Sequence, residues 1–213
     1  EKERQLLFAN MAHDLRTPIT TIHGSAKAVA DGLVSEDKLN QTMETIITKT
    51  NHMNELVNHL LVFSKLESPD YHLQQQKIDL SELLREVLLE HLDLAEKNQI
   101  DMIIDLTDDP LEIFGDPIEL RRVFDNLIGN SIQHNSANTT VQIRLYPLNH
   151  QVILEIKDNG NPIPKELQEP LFEPFVSGDG SRTTKNGSGL GLAISKNCLL
   201  YTSDAADDTP CVD

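Results

Sequence analysis

The stretch "GDPIELRRVFDNLIGNSIQHN", residues 115–135, decides how the chain is read. Residues 117–135 have the pattern of a helix with two unlike faces. Asn126 and Asn130 lie four apart, and Arg122 and Gln133 fall on their side. Phe124, Leu127, Ile128 and Ser131 fall elsewhere. An uncovered amide pair on an otherwise buried helix calls for a polar ligand. A side-chain carbonyl is a hard oxygen ligand suited to Mg2+, which keeps most of its waters and binds nucleotide phosphates. The bland alternative is two surface amides bonded to nearby loops, and this spacing alone does not separate the two.

The neighbouring segments supply the context. Before the helix, "KIDL" (77–80) reads as a strand and 81–97 as a helix with Leu83, Leu84, Val87, Leu88 and Leu92 on one side. "IDMIIDL" (100–106) and "LEIFGD" (111–116) read as strands. After it, "TVQIRLY" (140–146) and "QVILEIKD" (151–158) form a strand pair around "PLNH" (147–150). The expected class is α+β, with helices against one face of a sheet.

The first third differs. Apolar residues recur at 8, 11, 15, 22, 26, 29 and 33, then at 39, 43, 46, 53, 57 and 60, with Thr50 at the intervening seam position. Steps of three, four and seven predict two long helices with narrow apolar seams, the first interrupted near Pro18. Gly32 to Asp37 separates them, with Ser35 as an N-cap. One hairpin cannot bury both seams, so two copies pairing into a four-helix bundle is expected. "ESPDYHLQQQK" (67–77) breaks the pattern. The expected organisation is a hairpin domain over 1–67, a linker over 68–76 and a second domain over 77–197.

"HDLRTP" (13–18) lies within the first helix. His13 is two positions from both Met11 and Leu15, and each step of two turns the side chain by about 200°. His13 therefore faces away from the seam, towards solvent. Thr17 shares its face. Asp14 can reach one imidazole nitrogen, fixing the tautomer and making the other more nucleophilic. Pro18 leaves the Asp14 carbonyl without its intrahelical donor. An exposed His on a kinked bundle helix fits the stretch equally well.

Three loops complete the set. "DNGNPIP" (158–164) follows a strand. Its Asp158 can accept from a base amino group, and Gly160 lets backbone approach a flat ring. "LFEPF" (171–175) comes next. "SRTTKNGSGLGL" (181–192) is a polar loop with Gly187, Gly189 and Gly191 at a helix start, which suits an anion. It is neither a P-loop nor a dinucleotide fingerprint, since the G-K-[ST] ending and the preceding βαβ strand are missing. A flexible connector is its bland reading.

Bulk properties exclude other classes. The net charge of −16 over 213 residues argues against nucleic acid as a partner. No apolar run reaches the length of a membrane span, and the start has no signal-peptide pattern. Cys198 and Cys211 are the only cysteines, so neither a disulfide framework nor a cysteine metal site is available.

Taken in order, "HDLRTP", "NLIGNSIQH", "DNGNPIP", "LFEPF" and "NGSGLGL" resemble the H, N, G1, F and G2 boxes of bacterial sensor histidine kinases. "GDPIELRRVFDNL" (115–127) matches that family too, and the similarity runs from about residue 3 to 196. The resemblance implies a dimerisation and phosphoacceptor hairpin followed by an α/β-sandwich ATP-binding domain of the kind shared with gyrase and heat-shock-90 chaperones. It implies His13 as phosphoacceptor and Asp14 as its polarising partner, with Thr17 orienting water in the reverse, phosphatase reaction. It further implies Asn130 as the Mg2+ ligand and Asn126 beside the phosphates. Gln133 and His134 would lie at the same nucleotide site. Asp158 would read the adenine amino group, with Gly160 and Ile163 lining the base pocket. The lid between Phe175 and Gly187, carrying Arg182 and Lys185, and the following Gly189, Leu190 and Gly191 would cover the phosphates.

The implied partners are a second copy through residues 1–67 and the receiver domain of a response regulator. Nucleic acid is not among them. The implied setting is the cytoplasmic side of a membrane sensor, attached through a missing N-terminal region. In gyrase-like relatives an acidic base stands at the position of Asn126. An amide cannot take a proton from water, so hydrolysis should be slow and the nucleophile must come from outside the site. Three positions depart from the family pattern. Pro162 replaces a Gly of the G1 box, no Lys stands near Gln133, and Asn186 replaces the first Gly of the G2 box. Each should weaken ATP binding without removing a chemical role. The alternatives are an ATPase of the gyrase and chaperone group, or a catalytically decayed dimerisation and docking module.

After "LAISKN" (192–197) the match stops. "CLLYTSDAADDTPCVD" (198–213) shows no helical or strand period, and its first ten residues resemble a translated sequencing adaptor. The expectation is a foreign tail from 198 and a domain truncated before its last strands.

Overall fold

The computed structural model describes residues 2–66, 68, 71–149, 151–174, 176 and 189–207, with the backbone alone for 2–8, 10 and 200–207. The chain divides into two compact units, Glu1–Ser68 and Pro69–Asp213.

The first unit is a hairpin of α1 (Lys2–Ala30) and α2 (Glu36–Leu66). Gly32, at φ +68°, ends α1. Its N–H donates to the Val29 carbonyl and that of Leu33 to the Ala28 carbonyl, the paired bonds of a Schellman turn. Ser35 stands just before α2 and its carbonyl accepts from Lys38 N at 2.9 Å. Contrary to the expected interruption, α1 runs through Pro18 as one helix. The remaining turns on either side carry it past the missing N–H. Met11, Leu56, Phe63 and Leu66 are buried, yet Leu33, Leu39, Met43 and Val57 are exposed. Within one chain the seams stay largely uncovered.

The second unit contains β1 (Gln76–Asp79), α3 (Leu80–Lys97), β2 (Asp101–Leu106), β3 (Glu112–Gly115), α4 (Pro117–Gln133), β4 (Thr140–Leu148), β5 (Gln151–Asp158), the single-turn α5 (Lys165–Gln168) and α6 (Gly191–Asp207). β1 pairs antiparallel with β3. β2, β4 and β5 form a second sheet in the order β2-β4-β5, parallel then antiparallel. β4 alternates strictly: Val141, Ile143 and Leu145 are buried and the residues between are half-buried. That face shares its core with Leu84, Val87 and Leu88 of α3, Val123, Ile128 and Ile132 of α4, and Leu190 and Ile194 at α6. Leu92, assigned from sequence to the inner side of α3, is exposed.

Two aspartates start the two central helices. Asp79 Oδ1 accepts from Ser81 N and Glu82 N, capping α3, and also from Leu111 N. Asp116 Oδ1 accepts from Ile118 N and Glu119 N, capping α4, with Pro117 in the first turn, where its missing N–H costs nothing. Asp116 Oδ2 also accepts from Gln74 N at 2.9 Å. The residues expected to act as a plain linker are thus bonded into the second unit from Tyr71 onward, and β1 begins at Gln76.

Glu119 sets the strongest local demand. It is 1 % exposed. Tyr71 Oη donates to its Oε1 at 2.9 Å, Cys198 Sγ donates to its Oε2 at 3.2 Å, and the Arg122 guanidinium pairs with it. Burial first, then the Glu119 hydrogen bond, pushes the Cys198 thiol up to about 12 and raises Tyr71 in the same direction. α6 runs to Asp207 although the sequence after 197 shows no helical period, and Cys198 is buried against Glu119.

Removing the Glu119 carboxylate leaves half-buried Arg122 beside a hole. Glu119→Ala should cost about 3–5 kcal/mol in urea unfolding, whereas Glu119→Gln, which still accepts from Tyr71, should cost less. Because the Cys198 thiol is harder to ionise folded than unfolded, its stabilising share is complete below pH 9.0 and is lost as pH rises towards about 12. Alkaline melting curves should show that loss, and Cys198→Ala should reduce it.

Candidate functional site

The hairpin carries one chemical group of interest. His13 is exposed, with 62 % of its side chain in solvent, while Asp14 is largely covered at 20 %. His13 Nδ1 lies 3.1 Å from Asp14 Oδ1. A carboxylate acceptor at Nδ1 selects the tautomer with the proton there, which leaves Nε2 as a free lone pair. Met11 is buried and Leu15 half-buried on the other side of α1, and Thr17 is exposed like His13. Thr20 and Thr21 donate to the carbonyls of Arg16 and Thr17, so the turn around Pro18 is braced by side chains.

In the second unit the candidate residues gather along α4 and the segments next to it. Asn126 is not uncovered, as the sequence suggested. Its Nδ2 donates to the Gly191 carbonyl at 3.2 Å and to Ser195 Oγ at 3.3 Å, tying α4 to the first turn of α6. The space for this comes from Gly191, where a Cβ would lie 3.2 Å from Asn126 Oδ1. Asn130, one turn on, is half-buried, and among the described residues its amide has no hydrogen-bond partner. Arg122 is committed to Glu119 rather than to the amide face. Gln133 and His134 are exposed at the C-terminal end of α4, where the His134 N–H donates to the Asn130 carbonyl.

Asp158 ends β5 and is exposed. Its Oδ1 accepts from Gly160 N at 3.0 Å, which leaves Oδ2 for a ligand. Gly160 has a different reason for being glycine than the one expected. A Cβ there would lie 1.7 Å from Asn135 Oδ1, so the missing side chain makes room for the Asn135 amide rather than for a ring. Asn135 Nδ2 in turn donates to the Ser131 carbonyl at 2.9 Å. Ile163 is exposed at 47 %. Gly189 takes φ +65°, a left-handed turn that favours glycine, just before α6. Leu190 is fully buried, so its side chain belongs to the core and only its backbone can face a ligand. Phe175, Arg182, Lys185 and Gly187 lie outside the described residues.

Sequence reasoning missed Asn135, Ser195 and Glu119. Each is a polar residue whose partner is distant in sequence. The available signal was weak: a third Asn just past the helix, and a Ser four residues after Gly191 on an apolar helix.

Residues 3–69 match the His Kinase A (phospho-acceptor) domain, and residues 115–204 match the histidine kinase-, DNA gyrase B- and HSP90-like ATPase domain. The latter implies ATP binding. Sensor protein GtcS of Aneurinibacillus migulanus is 32% identical over 202 residues, covering 94% of this chain and 54% of that protein. Sensor protein kinase WalK of Staphylococcus aureus is 32% identical over 203 residues, covering 93% and 48%. The chain thus spans about half the length of these relatives. The structure of Acinetobacter baumannii histidine kinase AdeS superposes with a TM-score of 0.72 at 25% identity, covering 89% of this chain and 86% of that one. Histidine kinase ThkA in complex with response regulator protein TrrA gives 0.68 at 27% identity, covering 83% and 53%.

The Gly160 contact can be tested directly. Gly160→Ala should lower stability by about 1–3 kcal/mol through overpacking. Gly160→Ala with Asn135→Ala should be more stable than the sum of the single losses, because the second change removes the atom struck. Thermal melts of the four proteins measure the cycle.

Proposed function

Because this chain belongs to the histidine kinases, with a phosphoacceptor hairpin followed by an ATPase-type domain, we propose that it phosphorylates itself on His13 from ATP. It then passes the phosphoryl group to an aspartate on a response regulator. The observation that carries this reading is the exposed His13 with its Nδ1 occupied by Asp14. Nε2 attacks the γ-phosphorus, the bond to the β-phosphate oxygen breaks, and ADP leaves. Asp14 stabilises the positive charge that develops on the ring as the N–P bond forms.

The nucleotide site supports the same conclusion from the opposite side. Asn126, Asn130, Gln133 and Asn135 supply amides along α4 and just past its end, and an amide does not act as a base towards water. ATP held there waits for an outside nucleophile. Asp158 Oδ2 is available to accept from the adenine amino group, with Gly160 and Ile163 beside it. The N-terminus of α6 at Gly191 offers unpaired N–H groups towards the phosphates. Phe175, Arg182, Lys185 and Gly187 complete the lid in this reading.

Mg2+ fits the residues present in a limited way. Among the described residues no group of three carboxylate, histidine or cysteine side chains could hold an ion. Asn130 offers one unpartnered amide oxygen, which suits an ion bound mostly by phosphates and water. Asn130 would hold the ion, whose charge would offset that of the phosphates, and Asn126 lies one turn before it.

The exposed seam residues Leu33, Leu39, Met43 and Val57 support a homodimer through residues 1–67. The receiver domain of a response regulator is the expected second partner, with Thr17 positioned for the reverse, phosphatase reaction. No helix among the described residues is long and apolar enough to cross a membrane. The relatives named as sensor proteins support a membrane-anchored parent with this portion on the cytoplasmic side.

Incubation with γ-labelled ATP should give acid-labile, base-stable label on the protein. His13→Gln should abolish it, and label that survives the change refutes the site. Asp14→Asn should keep ATP affinity and slow labelling about 10- to 100-fold, since one oriented charge contributes on the order of 2 kcal/mol to such a transition state.

A further inference from the structure

Ser195 is the fifth residue of α6, one turn after Gly191, and is 2 % exposed. Its hydroxyl donates to the Gly191 carbonyl at 3.0 Å and accepts from Asn126 Nδ2 at 3.3 Å. The same Nδ2 donates to the Gly191 carbonyl at 3.2 Å. The two acceptors are hydrogen-bonded to each other, so one Asn126 amide proton is shared between them, and both are fixed to α6. Turning the amide over would set its oxygen against the Gly191 carbonyl, two acceptors with no proton between them. The network thus fixes which end of the amide is free. Oδ1 is left outward, beside Gly191, where a Cβ would come within 3.2 Å of it.

We propose that Ser195 is a positioning residue for the nucleotide phosphates: it holds the Asn126 amide oxygen-outward and locks α4 to the glycine-led N-terminus of α6. The inference rests on the ATP reading above. It adds a residue that touches no ligand. Its effect reaches the phosphates through the orientation of Asn126 and the position of the Gly191 backbone. The adenine end, at Asp158 and Gly160, is built from other residues and is independent of it.

Ser195→Ala removes one of the two acceptors that share the amide proton and so weakens the hold on the amide. The loss should appear in binding of the phosphates and not of the base. Calorimetric titration of the full chain with ATP and Mg2+, and separately with adenosine, tests this in wild type, S195A, N126A and the double variant. S195A should weaken ATP about 3- to 10-fold, the worth of one hydrogen bond. Adenosine affinity should stay within about twofold, and S195A added to N126A should cost nothing further. Unchanged ATP affinity in S195A, equal losses for ATP and adenosine, or additive losses in the double variant each overturn the proposal. A wild type that binds adenosine and ATP while S195A behaves as wild type defeats this inference alone. A wild type that binds neither defeats the ATP reading and this inference with it. Nuclear magnetic resonance of the Asn126 side-chain NH2 gives a measurement that needs neither ligand nor variant. The proton shared between Gly191 and Ser195 should be slow to exchange with solvent, and rapid exchange of both amide protons overturns the proposal.

Discussion

A single carboxylate withdrawn from water at the start of α4 organises the second unit. Glu119 cannot be buried alone, because an unpaired charge in the interior costs several kcal/mol. Its partners come from three separate places: Tyr71 from the segment after the hairpin, Arg122 from the same helix, and Cys198 from α6. Meeting that one demand fixes three segments against each other. Asp116, three residues earlier, captures Gln74 while capping the helix. The beginning of α4 is therefore pinned in rotation and along its axis. Asn126 and Asn130, two and three turns further on, inherit that setting.

The same helix must also be polar without being wet. Val123, Ile128 and Ile132 are buried, so the amide edge is a narrow strip between core and ligand. Asn126 gives its nitrogen to α6 and Asn130 gives nothing to the described residues. The strip has one anchored amide and one available amide, a division of labour that the spacing alone could not show. Gly191 and Gly160 permit it, each by omitting a side chain where an asparagine side chain must pass.

Periodicity carried most of the architecture. The seams at 11, 15 and 22 and at 46, 53 and 60 predicted α1 and α2, and alternation in "TVQIRLY" predicted β4, because burial on one face is imposed by geometry that repeats along the chain. The exposure of His13 followed from the same phase argument. What stayed hidden was long-range and polar. Asn135 meets Gly160 and Ser195 meets Asn126 across 25 and 69 residues, and no local pattern marks a hydrogen bond closed at that distance. The continuity of α1 through Pro18 was misjudged because one missing N–H was weighed without the turns on either side. The burial of Cys198 was missed for a similar reason: its partner Glu119 lies in a different helix.

The two units explain each other chemically. In the proposed function, an ATP site lined by the α4 amides holds a phosphoanhydride that water attacks slowly, since an amide takes no proton from water. An imidazole needs no such help. Its Nε2 attacks as a neutral lone pair, and the proton at Nδ1 is already bonded to Asp14. In this reading the hairpin group carries its own activation, which lets it stand exposed on its helix. Exposure has a second consequence. A phosphoryl group on a solvent-facing nitrogen is open to a second protein, whereas one bound within the amide strip would not be. In the proposed function, the exposure that makes His13 a poor buried residue also suits it to carry a phosphoryl group between proteins.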